Sequence, residues 1–399
     1  MKIIRLIPLA ISVAALCVLV AVTGSEKQQR KAAARQTVTA HTKAEPKKAP
    51  REMRGVWVTY MDLDMQNTDM SRESFKKRFR HIADTAKKDK FNTLIVQVRP
   101  FCDALYRSSY YPSSHILSGK QGKYAGYDAL EYMCAYTHKL GMELHAWVNP
   151  YRVRSSATLK LSADNPYKKN PSLGVKVGNE IYLNPALPKV RELIENGVKE
   201  IVQNYDVDGI QFDDYFYPTD RRSFDGQAYR EYSEKASEPL PLDEWRINNV
   251  NILVAEVHDI VHSVKKNVVF GISPQGNIDN DYRMYADVKS WCSQSGYVDY
   301  ICPQLYYSLE NPALKFGEAL RNWLELDYDG SVTLYAGIAG YKTGTDSDGG
   351  TWNSSDRILQ KEVNMLRKSK VSGFMFYTYS NLESEAAARE VANLIKVLD

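Results

Sequence analysis

The feature that most constrains the fold is an alternation along the chain between apolar, β-rich runs and amphipathic helical stretches. From Met53 onward the alternation recurs eight times. The predicted strands are residues 55–62, 93–100, 142–150, 209–216, 268–276, 300–307, 332–341 and 373–381. Strict alternation favours a parallel sheet, and eight such units predict an α/β fold, a (β/α)8 TIM barrel over residues 52–399. An open doubly wound sheet is the alternative, but no glycine-rich phosphate-binding turn follows the first strand.

The connecting loops are long on one side only. Long segments follow four of the predicted strands, at residues 101–126, 151–186, 217–241 and 342–353, whereas most returns from helix to strand are short. Because the site of such a barrel lies where the carboxyl ends of the strands meet these enlarged βα loops, we expect function at that face.

Several residues mark the ends of the predicted helices. Ser71 and Ser354 are predicted N-caps, Pro188 falls in a first turn, and Gly141 follows a last turn. The pattern also predicts one continuous helix over residues 281–293.

The first 24 residues have a different character. Lys2 and Arg5 accompany an apolar run, residues 3–22, which is followed by small residues. This arrangement predicts an export signal, as a cleaved signal peptide or as an uncleaved N-terminal membrane anchor. A lipid-modified Cys17 is disfavoured, because Leu16 precedes it where lipidation requires a small residue. We expect an exported protein, secreted or anchored to the outer face of the cytoplasmic membrane.

Residues 25–51 lack apolar periodicity and predict a disordered basic linker. Residues 26–52 carry eight basic and three acidic side chains. With the two signal-peptide charges also set aside, the formal net charge of +4 leaves about −3 for residues 53–399. The folded part therefore lacks the electrostatic basis for nucleic-acid binding, and we expect no nucleic acid as a partner.

The sequence shows no pattern typical of a cofactor or metal site. His258 and His262 stand four residues apart on a predicted outer helix, far from the strand ends, which favours a packed or solvated helix face over a zinc-protease motif. We expect no metal and no other cofactor. Four cysteines of the folded part have neither CxxC nor Cys/His zinc spacing and are predicted to be buried free thiols: Cys102, Cys134, Cys292 and Cys302.

Two neighbouring carboxylates, Asp213 and Asp214, follow the apolar start of the fourth predicted strand. Asp is depleted in strands and adjacent carboxylates repel each other, so the pair is unfavourable unless the site uses it. Capping of the next segment, or pairing with a buried Arg, is the structural alternative. In a barrel the pair would lie at the catalytic face, and we predict both as catalytic residues.

Polar and aromatic side chains end six of the eight predicted strands. Hydrogen-bonding groups of this kind hold hydroxyl-rich ligands, and aromatic faces can stack on sugar rings. The barrel would bring these strand ends together. The predicted substrate-binding residues are Gln97, Arg99, His145, Trp147, Asn149, Tyr151, Tyr215, Ser273, Gln304, Tyr306 and Tyr377.

Glycosidic bond cleavage needs a proton donor for the leaving oxygen and a second group that supports an oxocarbenium-like centre. Asp213 and Asp214 can divide this work, one staying protonated beside its neighbour's charge and the other staying ionised. Two separate catalytic carboxylates usually come from different strands. An adjacent pair therefore favours a substrate-assisted route, in which a 2-acetamido group attacks the anomeric carbon, and predicts an N-acetylhexosamine-containing glycan as substrate.

The sequence also resembles known families. The fourth strand is similar to that of chitinases, although Tyr215 stands where their acidic Glu would be. Five motifs resemble the glycosyl-hydrolase-like 10 family of exported bacterial proteins: residues 52–58, 97–100, 147–151, 208–218 (with Gln211 replacing a His) and 272–274. The resemblance spans residues 52–398. It implies a TIM barrel, glycoside hydrolysis and peptide-free (denuded) peptidoglycan strands as substrate. A non-catalytic barrel that binds cell-wall glycan is the alternative.

Overall fold

The computed structural model describes residues 52–398, and a ring of parallel strands forms the centre of this part. The strands, β1 to β8 in chain order, are Met53–Val58, Thr93–Arg99, Glu143–Val148, Gly209–Phe212, Val269–Ile272, Tyr300–Ile301, the interrupted strand Thr333–Leu334 with Ala336–Ala339, and Gly373–Tyr377. Every pairing round the ring is parallel.

The seventh strand closes the ring in two halves separated by Tyr335. Thr333–Leu334 pairs with β6, and Ala336–Ala339 pairs with β8, which in turn pairs with β1. A bridge between Gln304 and Gly337 continues the contact between β6 and β7. The prediction of a (β/α)8 barrel is confirmed, and the open doubly wound alternative is wrong.

Within residues 52–398, eight α-helices surround the ring and four more lie in the βα loops. The outer helices, α1 to α8, are Arg72–Lys88, Ala129–Lys139, Pro188–Asn204, Leu242–Val264, Val288–Ser293, Phe316–Leu324, Ile358–Arg367 and Ala388–Ile395. The loop helices are His115–Ser118, Pro166–Lys169, Gly226–Ser233 and Ile278–Arg283.

Three of the predicted helix-end signals are confirmed. The Ser71 hydroxyl accepts a hydrogen bond from the Ser74 N–H and so caps α1. Pro188 is the first residue of α3. Gly141 follows the C-terminal cap of α2 with a φ of +66°, the left-handed conformation that glycine adopts without strain.

Two helix predictions are wrong. Ser354 does not cap α7, which begins at Ile358, because the Glu390 carboxylate of α8 accepts the N–H groups of Ile358 and Leu359. The helix predicted over residues 281–293 is divided, since the Asp287 side chain caps a new start at α5.

The interior of the ring is filled by a small cluster of side chains that is separate from the larger core between strands and helices. Its members are Met53, Trp57, Ile95, Trp147, Tyr300, Cys302 and Met375. His145 also points inward, and a Cβ atom on Gly209 would lie only 2.7 Å from its ring, so glycine is needed at the start of β4. The prediction of four buried free cysteine thiols is confirmed.

The long loops lie at the carboxyl ends of the strands, as predicted. The loop between β3 and α3 carries a small antiparallel sheet of Arg152–Arg154, Gly174–Val177 and Glu180–Leu183. Within residues 52–398, no helix has the length and apolar character needed to cross a membrane. The predicted export signal and basic linker, residues 1–24 and 25–51, lie outside the described residues.

Candidate active site

A pocket of about 340 Å³ opens at the carboxyl ends of the barrel strands. Its volume falls in the range typical of small-molecule sites. Side chains from or just beyond seven of the eight strands line it: Trp57, Trp147, Gln211, Asp213, Asp214, Tyr215, Ser273, Gln275, Gln304, Tyr306, Tyr341 and Tyr377.

Asp213 is held by donors from the neighbouring strand. β4 ends at Phe212, and the next side chain is only 4% exposed. The Trp147 indole N–H donates to Asp213 Oδ2 at 3.0 Å, and the Asn149 amide donates to both carboxylate oxygens at 2.9 and 3.0 Å. Burial raises the pKa of Asp213 to about 6, although the positive charge of Arg152 and these donors oppose the rise.

Asp214 is held by two glutamine amides. Gln304 Nε2 donates to Asp214 Oδ1 at 3.0 Å, and Gln275 Nε2 makes a short hydrogen bond to Oδ2. Burial raises the pKa of Asp214 as well. The carboxyl group of Asp281 fixes Gln275 in turn, since its Oδ1 accepts the Gln275 N–H at 2.8 Å.

A hydrogen-bonded chain joins the pocket to the barrel interior. The Trp57 indole N–H donates to Gln211 Oε1 at 2.6 Å, and Gln211 Nε2 donates to the Tyr300 hydroxyl at 3.2 Å. The same hydroxyl lies 3.0 Å from His145 Nδ1. Trp57 and Gln211 are thereby fixed as parts of the lining.

Tyrosines form one side of the pocket. Tyr306, Tyr341 and Tyr377 lie with ring centroids 5.6 to 5.8 Å apart, and the Trp57 ring meets Tyr377 at 5.8 Å. Tyr215 and Tyr341 are each 41% exposed, so their faces are open to a ligand. Rigid aromatic faces beside hydrogen-bonding groups suit a sugar ring, which has both apolar faces and hydroxyls.

Arg152 places a cation beside the acid pair. Its guanidinium lies between the rings of Phe101 and Tyr215, 5.1 and 5.2 Å from their centroids, and its Nε donates to the Pro100 carbonyl at 3.1 Å. The positive charge lowers the pKa of both Asp213 and Asp214 against the larger effect of burial. The aromatic clamp leaves the position of this charge well defined.

The chain is similar in sequence to a known protein family. Residues 52–353 match the profile described as glycosyl hydrolase-like 10. The chain belongs to this family. It is 34% identical to glycosyl hydrolase YngK of Bacillus subtilis (strain 168) over an alignment of 355 residues. This alignment covers 83% of this chain and 69% of YngK. It is 33% identical to glycosyl hydrolase DigH of Escherichia coli (strain K12) over an alignment of 340 residues. This alignment covers 76% of this chain and 76% of DigH.

A solved structure supports the same architecture. The glycoside hydrolase domain of PgaB (BpsB) from Bordetella bronchiseptica superposes with a TM-score of 0.57 at 13% identity, over 86% of this chain and 99% of that domain. At this level of identity the likeness concerns the fold. The family resemblance predicted from the sequence motifs is confirmed.

Most of the site residues predicted for this family member meet in the pocket. Both predicted catalytic residues, Asp213 and Asp214, lie on its wall. The predicted substrate contacts found on the wall are Trp147, Tyr215, Ser273, Gln304, Tyr306 and Tyr377. The buried hydroxyl of Ser273 has no hydrogen-bond partner within the described residues, so it is available to a ligand.

Five other predicted contacts lie behind the wall. Asn149 reaches the site through Asp213, and Gln97 accepts the Tyr60 N–H at 3.3 Å. Arg99 donates to the carbonyls of Asn149 and Pro150, which holds the loop after β3. The remaining two are fully buried: His145, whose pKa burial lowers to about 4, and Tyr151. These five side chains support the pocket from behind and do not line it.

The sequence analysis missed several lining or supporting residues. Gln275 and Arg152 stand in the same strand-end motifs as predicted residues and could have been found from them. Trp57 stands in the motif of residues 52–58 and could also have been found, whereas Asp281 gave no such signal, because its role depends on partners brought near by the closed ring. Among residues 52–398, one group of three potential metal ligands is present, and it lies away from this pocket.

Proposed function

We propose that this protein is a glycosidase that cleaves N-acetylhexosamine-containing glycan, with peptide-free peptidoglycan strands as its substrate. The observation that carries the proposal is the buried pair Asp213 and Asp214 on the wall of a pocket rich in tyrosines. Two adjacent carboxyl groups with raised pKa values can supply both the proton and the negative charge that glycoside cleavage needs.

The hydrogen bonds divide the work between the two residues. Trp147 can only donate, and together with Asn149 it favours the ionised form of Asp213. Gln304 is fixed as a donor, because its Nε2 also donates to the Ser273 carbonyl at 3.0 Å. The Gln275 side-chain amide can rotate to present its carbonyl oxygen, so that a protonated Asp214 is also satisfied. We assign Asp214 as the general acid and Asp213 as the ionised partner. Burial raises the pKa of Asp213 to about 6, but the pair shares one proton, and the donors Trp147 and Asn149 keep the negative charge on Asp213.

In the proposed reaction the substrate supplies the nucleophile. The carbonyl oxygen of a 2-acetamido group forms a bond to the anomeric carbon while the bond to the leaving sugar breaks, and the Asp214 proton passes to the leaving oxygen. Asp213 accepts the acetamido N–H and balances the positive charge that develops. That bond closes a five-membered ring on the sugar. Water then attacks the anomeric carbon, opens this five-membered ring to restore the acetamido group, and gives a proton to Asp214.

Arg152 favours an anionic glycan. N-acetylmuramic acid whose peptide has been removed carries a free lactyl carboxylate, whereas the peptide-linked form carries a neutral amide at that position. A guanidinium beside the cleavage site would pair with the carboxylate and not with the amide. This preference would separate peptide-free strands from intact peptidoglycan.

The predicted export signal supports an extracytoplasmic place for this activity. We propose that the barrel works outside the cytoplasmic membrane, where cell-wall glycan lies. Residues 3–22 would either direct secretion or remain as an anchor.

The decisive experiment follows the products. Purified protein incubated with peptide-free peptidoglycan strands should generate new reducing ends, and Asp213→Asn and Asp214→Asn should each slow this by at least about 100-fold without changing the circular dichroism spectrum. An aryl glycoside of N-acetylglucosamine with an activated leaving group needs no protonation, so Asp214→Asn should retain more activity on it than Asp213→Asn. Binding of strands without new reducing ends would instead make the pocket a glycan-binding site.

A further inference from the structure

A second cluster of chemically active side chains lies at the opposite end of the barrel. His258 and His262 stand one turn apart on α4, and Asp299 immediately precedes β6. The potential ligand atoms of the three residues all lie within 4.8 Å of one another. The centroids of the two imidazole rings lie 4.5 Å apart, and the ring planes are tilted by 58°.

Part of this cluster is an arrangement that occurs twice in the barrel and is called the brace: an Asp carboxylate before one strand accepts a backbone N–H of the preceding strand and contacts a His on a helix. Asp299 Oδ2 accepts the Phe270 N–H of β5 at 2.7 Å and lies 2.9 Å from His262 Nε2. In the same way, Asp208 before β4 accepts the Leu144 N–H of β3 and lies 2.8 Å from His138 Nε2. The brace therefore gives His138 and His262 a structural role, and His258 has no part in it.

His258 makes none of the brace's hydrogen bonds. Its Nε2 lies 3.8 Å from Asp299 Oδ1, beyond hydrogen-bonding distance, and its Nδ1 is buried without a hydrogen-bond partner among the described residues. The carboxylate of Asp259 is 3.6 Å from that Nδ1. His258 Nε2 thus lies near the Asp299 carboxylate without a hydrogen bond to it, and a metal ion between the two would complete the contact.

The distances suit zinc. A tetrahedral zinc ion with bonds of about 2.0–2.1 Å separates its ligand atoms by roughly 3.4 Å. Asp299 Oδ1 lies 3.1 Å from His262 Nε2 and 3.8 Å from His258 Nε2, on either side of that value. Asp299 Oδ2 would keep the Phe270 N–H as the outer-shell hydrogen bond that orients a ligating carboxylate.

We propose that His258, His262 and Asp299 form a binding site for a divalent transition-metal ion, with zinc as the preferred ion. Two imidazoles and one carboxylate are a borderline-soft ligand set of the kind that zinc accepts, and water would fill the fourth position. The three side chains keep 17%, 29% and 22% of their surface exposed, so an ion can reach them. The bound ion would tie α4 to the starts of β5 and β6, away from the glycan pocket.

The test uses zinc itself and the second brace as a control. The full chain, purified without a histidine tag and treated with a chelator, should bind one equivalent of Zn²⁺ in calorimetry and show a raised Tm. His258→Ala should weaken this binding by at least about 100-fold, since loss of even an outer-shell partner typically costs 10–100-fold. His138→Ala, which breaks the brace that lacks a second histidine, should bind zinc as the unaltered chain does.

The outcomes that overturn the proposal are equally concrete. Failure of the unaltered chain to bind zinc would exclude the site, and unchanged binding by His258→Ala would place the ion elsewhere. His258→Ala is the suitable variant because its side chain makes no hydrogen bond that folding would lose. A Co²⁺ absorption spectrum of the unaltered chain should show the intense visible bands of a four-coordinate site, and His258→Ala should lack them.

Discussion

At the residue scale, the raised pKa values of the acid pair determine how activity should depend on pH. Burial raises the pKa of Asp213 to about 6 and raises that of Asp214 above its ordinary value. Because the two carboxyl groups are adjacent, ionisation of one opposes ionisation of the other, and the pair shares its last proton. A site that needs this proton is active on the acid side of neutrality.

We therefore expect kcat/KM to fall about tenfold per pH unit above about pH 6, as the shared proton is lost. Initial rates of reducing-end formation from about pH 4 to about pH 8 would show this limb. Arg152→Gln should move the limb to higher pH, because the positive charge that lowers both pKa values is gone. A rate that stays constant across this range would contradict the acid role of the pair.

Arg152 also makes a prediction about substrate choice. Arg152→Gln should slow cleavage of peptide-free peptidoglycan strands by about 10-fold or more beyond any effect on a neutral N-acetylglucosamine oligomer, since a charged hydrogen bond is worth about 1.5–3 kcal/mol. Comparison of kcat/KM for both substrates, each at its own optimum pH, gives the ratio.

Arg152→Lys is the matched control, because it keeps the charge but loses the planar fork. It should recover part of the preference for the anionic strands. Equal losses on both substrates would mean that Arg152 acts through the acid pair alone and does not recognise a carboxylate.

At the scale of single elements, the loop helix Ile278–Arg283 supports the site from behind. Asp281 on this helix accepts the Gln275 N–H, and Gln275 holds Asp214. Burial raises the pKa of Asp281 well above its ordinary value, which favours the neutral carboxyl group and makes Asn a close replacement. Asp281 is a positioning residue.

Asp281→Ala should lower kcat by about 10- to 100-fold with little change in KM, because small displacements of a catalytic group are costly. Asp281→Asn keeps an oxygen acceptor and should recover most of kcat. Steady-state kinetics of the two variants separate positioning from simple loss of folding. Equal kcat for Asp281→Ala and the unaltered enzyme would show that Gln275 needs no such support.

The packing of α7 on α8 contains a buried carboxyl group with no role in the site. Glu362 is fully buried, and neither of its carboxyl oxygens has a hydrogen-bond partner among the described residues. Burial and the nearby Glu390 raise the pKa of Glu362 well above its ordinary value. The folded chain thus holds this proton more tightly than the unfolded chain, so the stabilisation is present at low pH and is lost as pH rises.

Glutamine at this position cannot ionise, so Glu362→Gln should remove the loss of stability at high pH. Its free energy of unfolding in urea should match that of the unaltered chain near pH 4.5 and exceed it by about 1–3 kcal/mol near pH 8. Glu385→Gln on the exposed surface nearby is the control and should change little at either pH. A stability difference that is the same at both pH values would contradict the argument.

At the scale of the whole molecule, the alternation of strands and helices was sufficient to predict the barrel, because a repeated local pattern constrains a closed parallel ring. The acid pair was predictable because two adjacent Asp residues conflict with strand propensity. The support of Asp214 by Gln275 and Asp281 was not predictable from the sequence. The Glu390 cap that moves the start of α7 was not predictable either. These contacts join residues that are separated in sequence and become neighbours only when the ring closes.

Export and folding should be separable in the whole chain. The four cysteines of residues 52–398 are free and buried, so the barrel does not depend on an oxidising compartment. We expect the full chain fused to alkaline phosphatase, which needs disulfides, to give reporter activity in cells, and the chain without residues 2–24 to give none. The shortened protein, purified from the cytoplasm, should have the same Tm and glycan-cleaving rate as the full chain. Reporter activity without residues 2–24 would contradict the predicted signal. If the signal is confirmed, the intact mass of the exported full chain distinguishes a cleaved signal peptide from a retained anchor.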